Sequence, residues 1–78
     1  MKVAVVSPEE VLFEGDATQV ITRTTEGDVA FLSGHAPFVG VLATGETKVY
    51  LAGGEVRTFD ITDGFVEVSN DTVSILAG

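Results

Sequence analysis

Residues 45–61, which read GETKVYLAGGEVRTFDI, contain the clearest local folding signal in the chain. Two runs in which apolar and polar residues alternate flank the pair Gly53-Gly54. Two consecutive glycines can adopt the positive φ angles of the tight primed turns, which match the twist of paired strands. The segment therefore predicts a β-hairpin whose turn lies at Gly53-Gly54.

The same two-residue alternation recurs along the rest of the chain. It is seen in the pairs Val3 and Val5, Val66 and Val68, and Val73 and Ile75. No stretch keeps the 3.6-residue period of an amphipathic helix. Turn-forming residues separate the runs at Asp63-Gly64 and at Ser69-Asn70-Asp71. Short strands at this spacing predict an all-β fold.

A single sheet buries only one of its faces, so a second sheet is needed to cover it. The sequence therefore predicts a small antiparallel β-sandwich of two packed sheets, and a single domain that spans residues 1–78. Its core is expected to be thin, because a chain this short buries only about 60% of its unfolded surface. The large residues expected to fill that core are Phe13, Phe31, Phe59 and Phe65.

The composition narrows the class of protein. Twelve acidic residues stand against four basic ones, which are scattered along the chain, and the net charge is −8. This charge excludes a nucleic-acid surface and favours a basic protein partner, although it is also explained by solubility alone. The absence of cysteine favours a reducing, intracellular compartment. With no long apolar run and no signal-peptide pattern, membrane contact is expected only through another protein.

The segment TEGDVAFLSGHAP, residues 25–37, joins an acidic turn to an apolar strand and then to a shaped loop. Gly34 can take positive φ, and Pro37 removes an amide donor and restricts the residue before it. Its polar side chains are unsuited to catalysis and suited to docking. Glu26, Asp28, Ser33 and His35 are therefore a candidate docking edge, although on spacing alone the two acids are better explained as solvating a turn.

No motif for catalysis or cofactor binding stands out. His35 is the only histidine, and Ser33 lies too near in sequence to form a nucleophilic pair with it. A turn histidine that bonds to its own loop or to a partner backbone is the favoured interpretation. Asp60 and Asp63 precede Gly64, but the closing glutamate of a calcium loop is missing. With no phosphate-binding glycine loop either, we expect no enzyme activity, no metal and no cofactor.

Two other functions stay open on the residues alone. Lipoyl and biotinyl carrier domains are also small acidic β-sandwiches, but their modified lysine sits at a hairpin tip. Here that tip is Gly53-Gly54, while Lys48 falls within a predicted strand and Lys2 at the N-terminus. A carrier domain and an unassigned small-ligand-binding β-sandwich therefore remain the alternatives to a docking subunit.

The ordered set of motifs resembles the N-terminal β-sandwich domain of the epsilon subunit of the rotary ATP synthase, which is called delta in mitochondria. The resemblance covers essentially the whole chain. It includes Ser7-Pro8, Leu12-Phe13-Glu14-Gly15, Glu26-Gly27-Asp28, Gly34-His35-Ala36-Pro37 and Asp63-Gly64-Phe65-Val66-Glu67-Val68, in the order of the family. Ala30, Ser33 and Asp63 depart from the family's usual residues, which affects local turns only.

The resemblance implies a non-catalytic rotor subunit of the central stalk that binds the gamma subunit and the c-ring and couples proton flow to ATP synthesis. It implies a peripheral position on the cytoplasmic face of the bacterial membrane, or on the matrix or stroma side in an organelle. The interface that it implies with the c-ring and the gamma subunit comprises Glu26, Asp28, Ser33, Gly34, His35, Ala36 and Pro37. Within it, Asp28 matches the position that faces the ring in the family. We expect no C-terminal helical domain in this chain, so the inhibition and ATP binding that those helices carry are not transferred to it.

Overall fold

The computed structural model describes all of residues 1–78 and contains nine β-strands and no helix. The all-β prediction is confirmed, and no helix is available that could cross a membrane. The strands are β1 (Lys2–Val6), β2 (Val11–Asp16), β3 (Gln19–Thr24), β4 (Gly27–Leu32), β5 (Phe38–Leu42), β6 (Gly45–Tyr50), β7 (Val56–Ile61), β8 (Gly64–Ser69) and β9 (Thr72–Ala77).

The nine strands belong to one hydrogen-bonded sheet that folds into two layers. The first layer has the order β2-β1-β9-β8-β5, and the second has the order β4-β3-β6-β7. The layers join where β5 meets β3 through the single residue pair Thr24 and Leu42. From there the chain continues through Ala43 and Thr44 into β6, which pairs with the same strand β3. A chain that changes sheets at such a corner is one way to build a sandwich.

The sandwich is not wholly antiparallel, which corrects the sequence prediction. β1 and β9 run parallel, with Val3 opposite Val73 and Val5 opposite Ile75, while the other strand pairs are antiparallel. Strands joined by a hairpin must be antiparallel, but β1 and β9 come from opposite ends of the chain. Their relative direction depends on how distant parts of the chain meet, which local alternation does not reveal.

The core lies between the two layers and is built mainly from β-branched residues. Its members are Val3, Val5, Ala17, Val20, Phe31, Leu42, Val49, Ile61, Val66, Val68, Val73 and Ile75. The buried hydroxyls of Thr22 and Thr47 are hydrogen-bonded to each other at 2.7 Å. No buried side-chain polar atom lacks a partner. The buried polar side chains in this small core are therefore all hydrogen-bonded, as is usual for buried polar groups in stable proteins.

Phe65 was expected in the core, and this expectation is wrong. Its side chain is 56% exposed, whereas Phe31 is completely buried. Side chains alternate between the two faces of a strand, and β8 directs Val66 and Val68 inward. Phe65 has the opposite parity and therefore lies on the outer face of the first layer.

The predicted hairpin of β6 and β7 is confirmed, but its turn is displaced by one residue. The Gly54 N–H donates to the Leu51 carbonyl at 3.2 Å, and the Leu51 N–H donates to the Glu55 carbonyl at 2.8 Å. The turn is thus centred on Ala52 and Gly53, not on the two glycines. Both glycines do have positive φ, of 93° and 94°.

A two-residue primed turn occurs instead between β8 and β9. Asn70 and Asp71 both have positive φ, of 52° and 58°, and Ser69 pairs with Thr72 across the turn. Type I′ turns require positive φ at both central residues, and Asn and Asp tolerate it better than other side chains do. This turn confirms the predicted break at Ser69-Asn70-Asp71 and brings Asp71 beside the Ser33–Pro37 loop.

Candidate docking surfaces

The predicted interface residues fall into two groups at opposite ends of β4. Glu26 lies in the turn before this strand, and Asp28 is the second residue of the strand. Ser33–Pro37 follow the last residue of the strand. Because a strand rises about 3.3 Å per residue, the six residues of β4 separate the two groups by about 20 Å. They are therefore two surfaces, which we call the acidic end (Glu26 and Asp28) and the loop surface (Ser33–Pro37).

At the acidic end, Asp28 is already engaged by a cation of the same chain. Its Oδ1 accepts a hydrogen bond from Nε of Arg23 at 2.9 Å, across the β3–β4 pair, and both side chains are exposed. This hydrogen bond and the attraction between the charges lower the pKa of Asp28 and raise the pKa of Arg23. Glu26 forms no ion pair. Glu26 is therefore the less neutralised of the two carboxylates.

The turn that carries Glu26 is held by Thr24. The Thr24 hydroxyl donates to the Gly27 carbonyl at 2.8 Å and accepts from the Glu26 N–H at 3.1 Å. Gly27 has a φ of 119°, which disfavours residues with a side chain. These local bonds fix the backbone on both sides of Glu26 and so fix where its side chain leaves the sandwich.

The loop surface is held by Asp71, a residue that the sequence did not single out. Its carboxylate accepts hydrogen bonds from the Ser33 hydroxyl at 3.1 Å and from the Gly34 N–H at 3.0 Å. The N-terminal ammonium of Met1 lies 3.9 Å from its Oδ2. The Gly34 bond is the main cause of a lowered pKa for Asp71. The sequence showed Asp71 only as a turn residue. It did not indicate that the carboxylate holds a loop that is distant in sequence.

His35 takes part in the structure of its own loop. Its backbone N–H donates to the Leu32 carbonyl at 3.0 Å, and its Nδ1–H donates to the Ala36 carbonyl at 2.6 Å. Its ring lies edge-on to the buried Phe31, with the centroids 4.9 Å apart. The interpretation of His35 as a turn histidine bonded to its own loop is confirmed, and its ring also covers one end of the core.

A third surface, which the sequence did not predict, runs across the outer face of the first layer. Apolar residues stand directly opposite one another on five neighbouring strands. In order across the sheet they are Val41, Phe65, Leu76, Val6 and Val11, and we call them the apolar row. All but Val6 are exposed by 43% or more. A contiguous apolar surface of this kind is typical of an interaction site.

Asp71 gives a pH prediction for this part of the molecule. Because its pKa is lower in the folded chain than the ordinary value of about 3.9, its carboxylate stabilises the fold fully above that value. This contribution is lost as the pH falls through the lower, folded-state pKa. In the variant Asp71→Asn, the asparagine can adopt the same positive φ but has no carboxylate to protonate. The variant should therefore lose less stability than the wild type between pH 7 and pH 3. Urea denaturation at both pH values measures the difference.

A matched control for this test is Glu9→Gln, which neutralises an exposed carboxylate that forms no side-chain hydrogen bond. It should follow the wild type at both pH values. An equal loss of stability in the wild type and in Asp71→Asn would show that the carboxylate of Asp71 does not hold the loop.

Comparison with known proteins agrees with this architecture. The family model of the β-sandwich domain of the ATP synthase delta/epsilon chain matches residues 1–78. The ATP synthase epsilon chain of Frankia casuarinae is 44% identical over 77 residues, which are 99% of this chain and 91% of that one. The sodium ion specific epsilon chain of Propionigenium modestum is 45% identical over 76 residues, which are 97% of this chain but 55% of that one. The chain thus spans nearly the whole length of the Frankia relative but about half the length of the Propionigenium relative.

A solved structure gives the same assignment. The cryo-EM structure of the Euglena gracilis mitochondrial ATP synthase, with OSCP, F1 and c-ring, contains a chain that superposes with a TM-score of 0.90 at 27% identity. The match covers 96% of this chain and 48% of that one. The resemblance predicted from the motifs is confirmed. The chain therefore belongs to the delta/epsilon family of ATP synthase chains, which are subunits of the rotor stalk, and corresponds to their β-sandwich domain.

Proposed function

We propose that this chain is a non-catalytic subunit of the ATP synthase rotor that binds the gamma subunit and the c-ring and couples proton flow to ATP synthesis. The observation that carries the proposal is the apolar row, since exposing Phe65 and three aliphatic neighbours on one sheet face is costly unless a partner covers them. The row provides the area for attachment, and we assign it to the gamma subunit.

The build of the sandwich suits a part that transmits torque. Two sheets enclose one core, and hydrogen bonds hold the loop surface and the acidic end in place. Closely packed interiors have low compressibility and transmit strain rather than absorbing it. A domain of this kind turns as a single body when its partner turns, and this role requires no catalytic group of its own.

The two ends of β4 are proposed as additional contacts. The carboxylates of Glu26 and Asp28 suit basic loops of the c-ring, with Glu26 contributing more because Arg23 already neutralises Asp28. The loop surface, with His35 at its centre, is proposed to lie near the junction of the gamma subunit and the ring. In this arrangement the chain meets the membrane only through the ring, on the cytoplasmic face in bacteria or the matrix or stroma side in organelles.

Phe65→Ser tests the proposal. Because a buried phenylalanine is worth about 1.5 to 3 kcal/mol, the variant should bind the purified gamma and c-ring assembly about tenfold or more weakly than the wild type. The control is Val56→Ser, which removes an apolar side chain that is 43% exposed on β7, outside the row. Pull-down titrations measure both. If Phe65→Ser bound with wild-type affinity, or if both variants lost affinity equally, the apolar row would not be part of the interface.

A further inference from the structure

Strand β5 has no partner along most of one side. β5 pairs with β8 along its whole length, but on its other side it meets β3 only at Leu42. A groove of about 460 Å³ runs beside this free edge. It lies between Phe38–Val41 of β5 and the turn at Thr24–Glu26, with Val29 of β4 completing the wall.

The backbone of β5 points hydrogen-bonding groups into this groove. The Val41 carbonyl accepts a bond from the Thr25 N–H at 2.9 Å, so Val41 directs its backbone groups away from β8. Alternate residues of a strand share this direction, which places the N–H and C=O of Val39 on the same side. None of the backbone hydrogen bonds outside the strand pairs involves Val39. Unpaired groups on a strand edge are a template for another strand.

Apolar residues and one carboxylate line the groove. The Phe38 ring crosses the inner face of β5, where a Cβ at Gly40 would approach it to 2.7 Å. Glycine at this position therefore lets the ring lie close to the strand, where it lines the groove together with Val29. Glu26 is the one charged residue that lines the groove. On the outer side Val39 is 73% exposed, next to Val41 of the apolar row.

The geometry points to strand addition: we propose that an extended segment of a rotor partner pairs with the N–H and C=O of Val39 and with the N–H of Val41, and becomes the next strand of the first layer. The Val41 carbonyl keeps its bond from the Thr25 N–H. Its alternate side chains would be apolar, one set facing Phe38 and Val29 and the other extending the apolar row. A lysine or arginine in the segment would pair with Glu26 in the lining of the groove. A second copy of this chain is a poorer occupant, because two chains of net charge −8 repel.

This inference rests on the proposed function, because the partner is taken from the rotor. The first experiment is amide hydrogen exchange on the wild-type chain, free and bound to the purified gamma and c-ring assembly. Exchange at the Val39 amide should slow by at least about tenfold on binding, because the amide acquires a hydrogen-bond partner. The control amide is Ala30, which faces the open edge of β4 and should not change.

The second experiment removes the donor. Val39→Pro deletes the N–H that faces the groove and leaves the ladder between β5 and β8 intact, so the melting temperature should change little. Its affinity for the assembly should fall about tenfold, because a buried acceptor on the partner loses its donor. Val39→Thr keeps the N–H and the branched shape, and it should bind within about threefold of the wild type.

The outcomes separate this inference from the proposed function. A complex that forms with no protection at Val39, or equal binding by the proline and threonine variants, overturns strand addition and leaves the rotor assignment standing. Failure of the wild-type chain to bind the assembly overturns both. Protection that depends on the concentration of the chain alone would identify a second copy as the occupant and would also overturn the inference.

Discussion

Replacing Phe31 by alanine is expected to lower the free energy of unfolding by about 3 to 5 kcal/mol, the usual cost of deleting a buried aromatic side chain. Phe31 is fully buried, and its ring packs near those of His35 and Phe38, with centroids at 4.9 and 5.5 Å. A domain of this size has only about 5 to 15 kcal/mol of stability in total. The variant should therefore lose a large share of the stability of the domain, which urea denaturation followed by circular dichroism measures.

The matched control is Phe65→Ala, the same chemical change at a phenylalanine that is 56% exposed. Little packing is lost there in the isolated chain, so its stability should stay within about 0.5 kcal/mol of the wild type. Equal destabilisation by the two variants would mean that the parity of β8 is wrong. Together with Phe65→Ser in the binding test, this control separates a binding role of Phe65 from a folding role.

The double variant Glu26→Lys/Asp28→Lys is expected to weaken binding to the gamma and c-ring assembly more than about a hundredfold at low salt. The two new lysines would join Arg23, which now pairs with Asp28, and form a group of three cations at the acidic end. Like charges placed against basic loops at an interface cost several kcal/mol. Asp28→Ala alone should have a small effect, because exposed ion pairs contribute little.

The control for charge reversal is Glu9→Lys/Glu10→Lys, at exposed positions between β1 and β2. Each double variant replaces two carboxylates by two ammonium groups, so both change the net charge from −8 by +4 to −4. Only the first should lose affinity strongly, and the loss should shrink as salt rises, because screening acts over about 8 Å at physiological ionic strength. Sedimentation at low and high salt measures both effects. Equal binding by the two variants at low salt would contradict the proposed orientation of the acidic end.

Local patterns in the sequence determined the strands and most of the breaks between them. The alternation in residues 45–61 and the turn residues Asn70 and Asp71 act over a few neighbouring positions, so their outcome does not depend on distant parts of the chain. The family resemblance was accessible for the same reason, since it rests on ordered local motifs. The sequence also marked residues 25–37 as a distinct segment, although not that β4 separates its two ends by about 20 Å.

Only the tertiary structure decided which face of each strand is buried and which distant residues meet. Phe65 has the hydrophobicity of a core residue, and its exposure follows from the inward direction of Val66 and Val68. The parallel pairing of β1 with β9 and the hydrogen bonds from the loop surface to Asp71 join residues far apart in sequence. Such contacts depend on how the layers fold over one another, so they cannot be predicted from local propensity. For this reason the sequence alone determined the family and the strands, whereas the apolar row and the free edge of β5 were determined by the packing of the sheets.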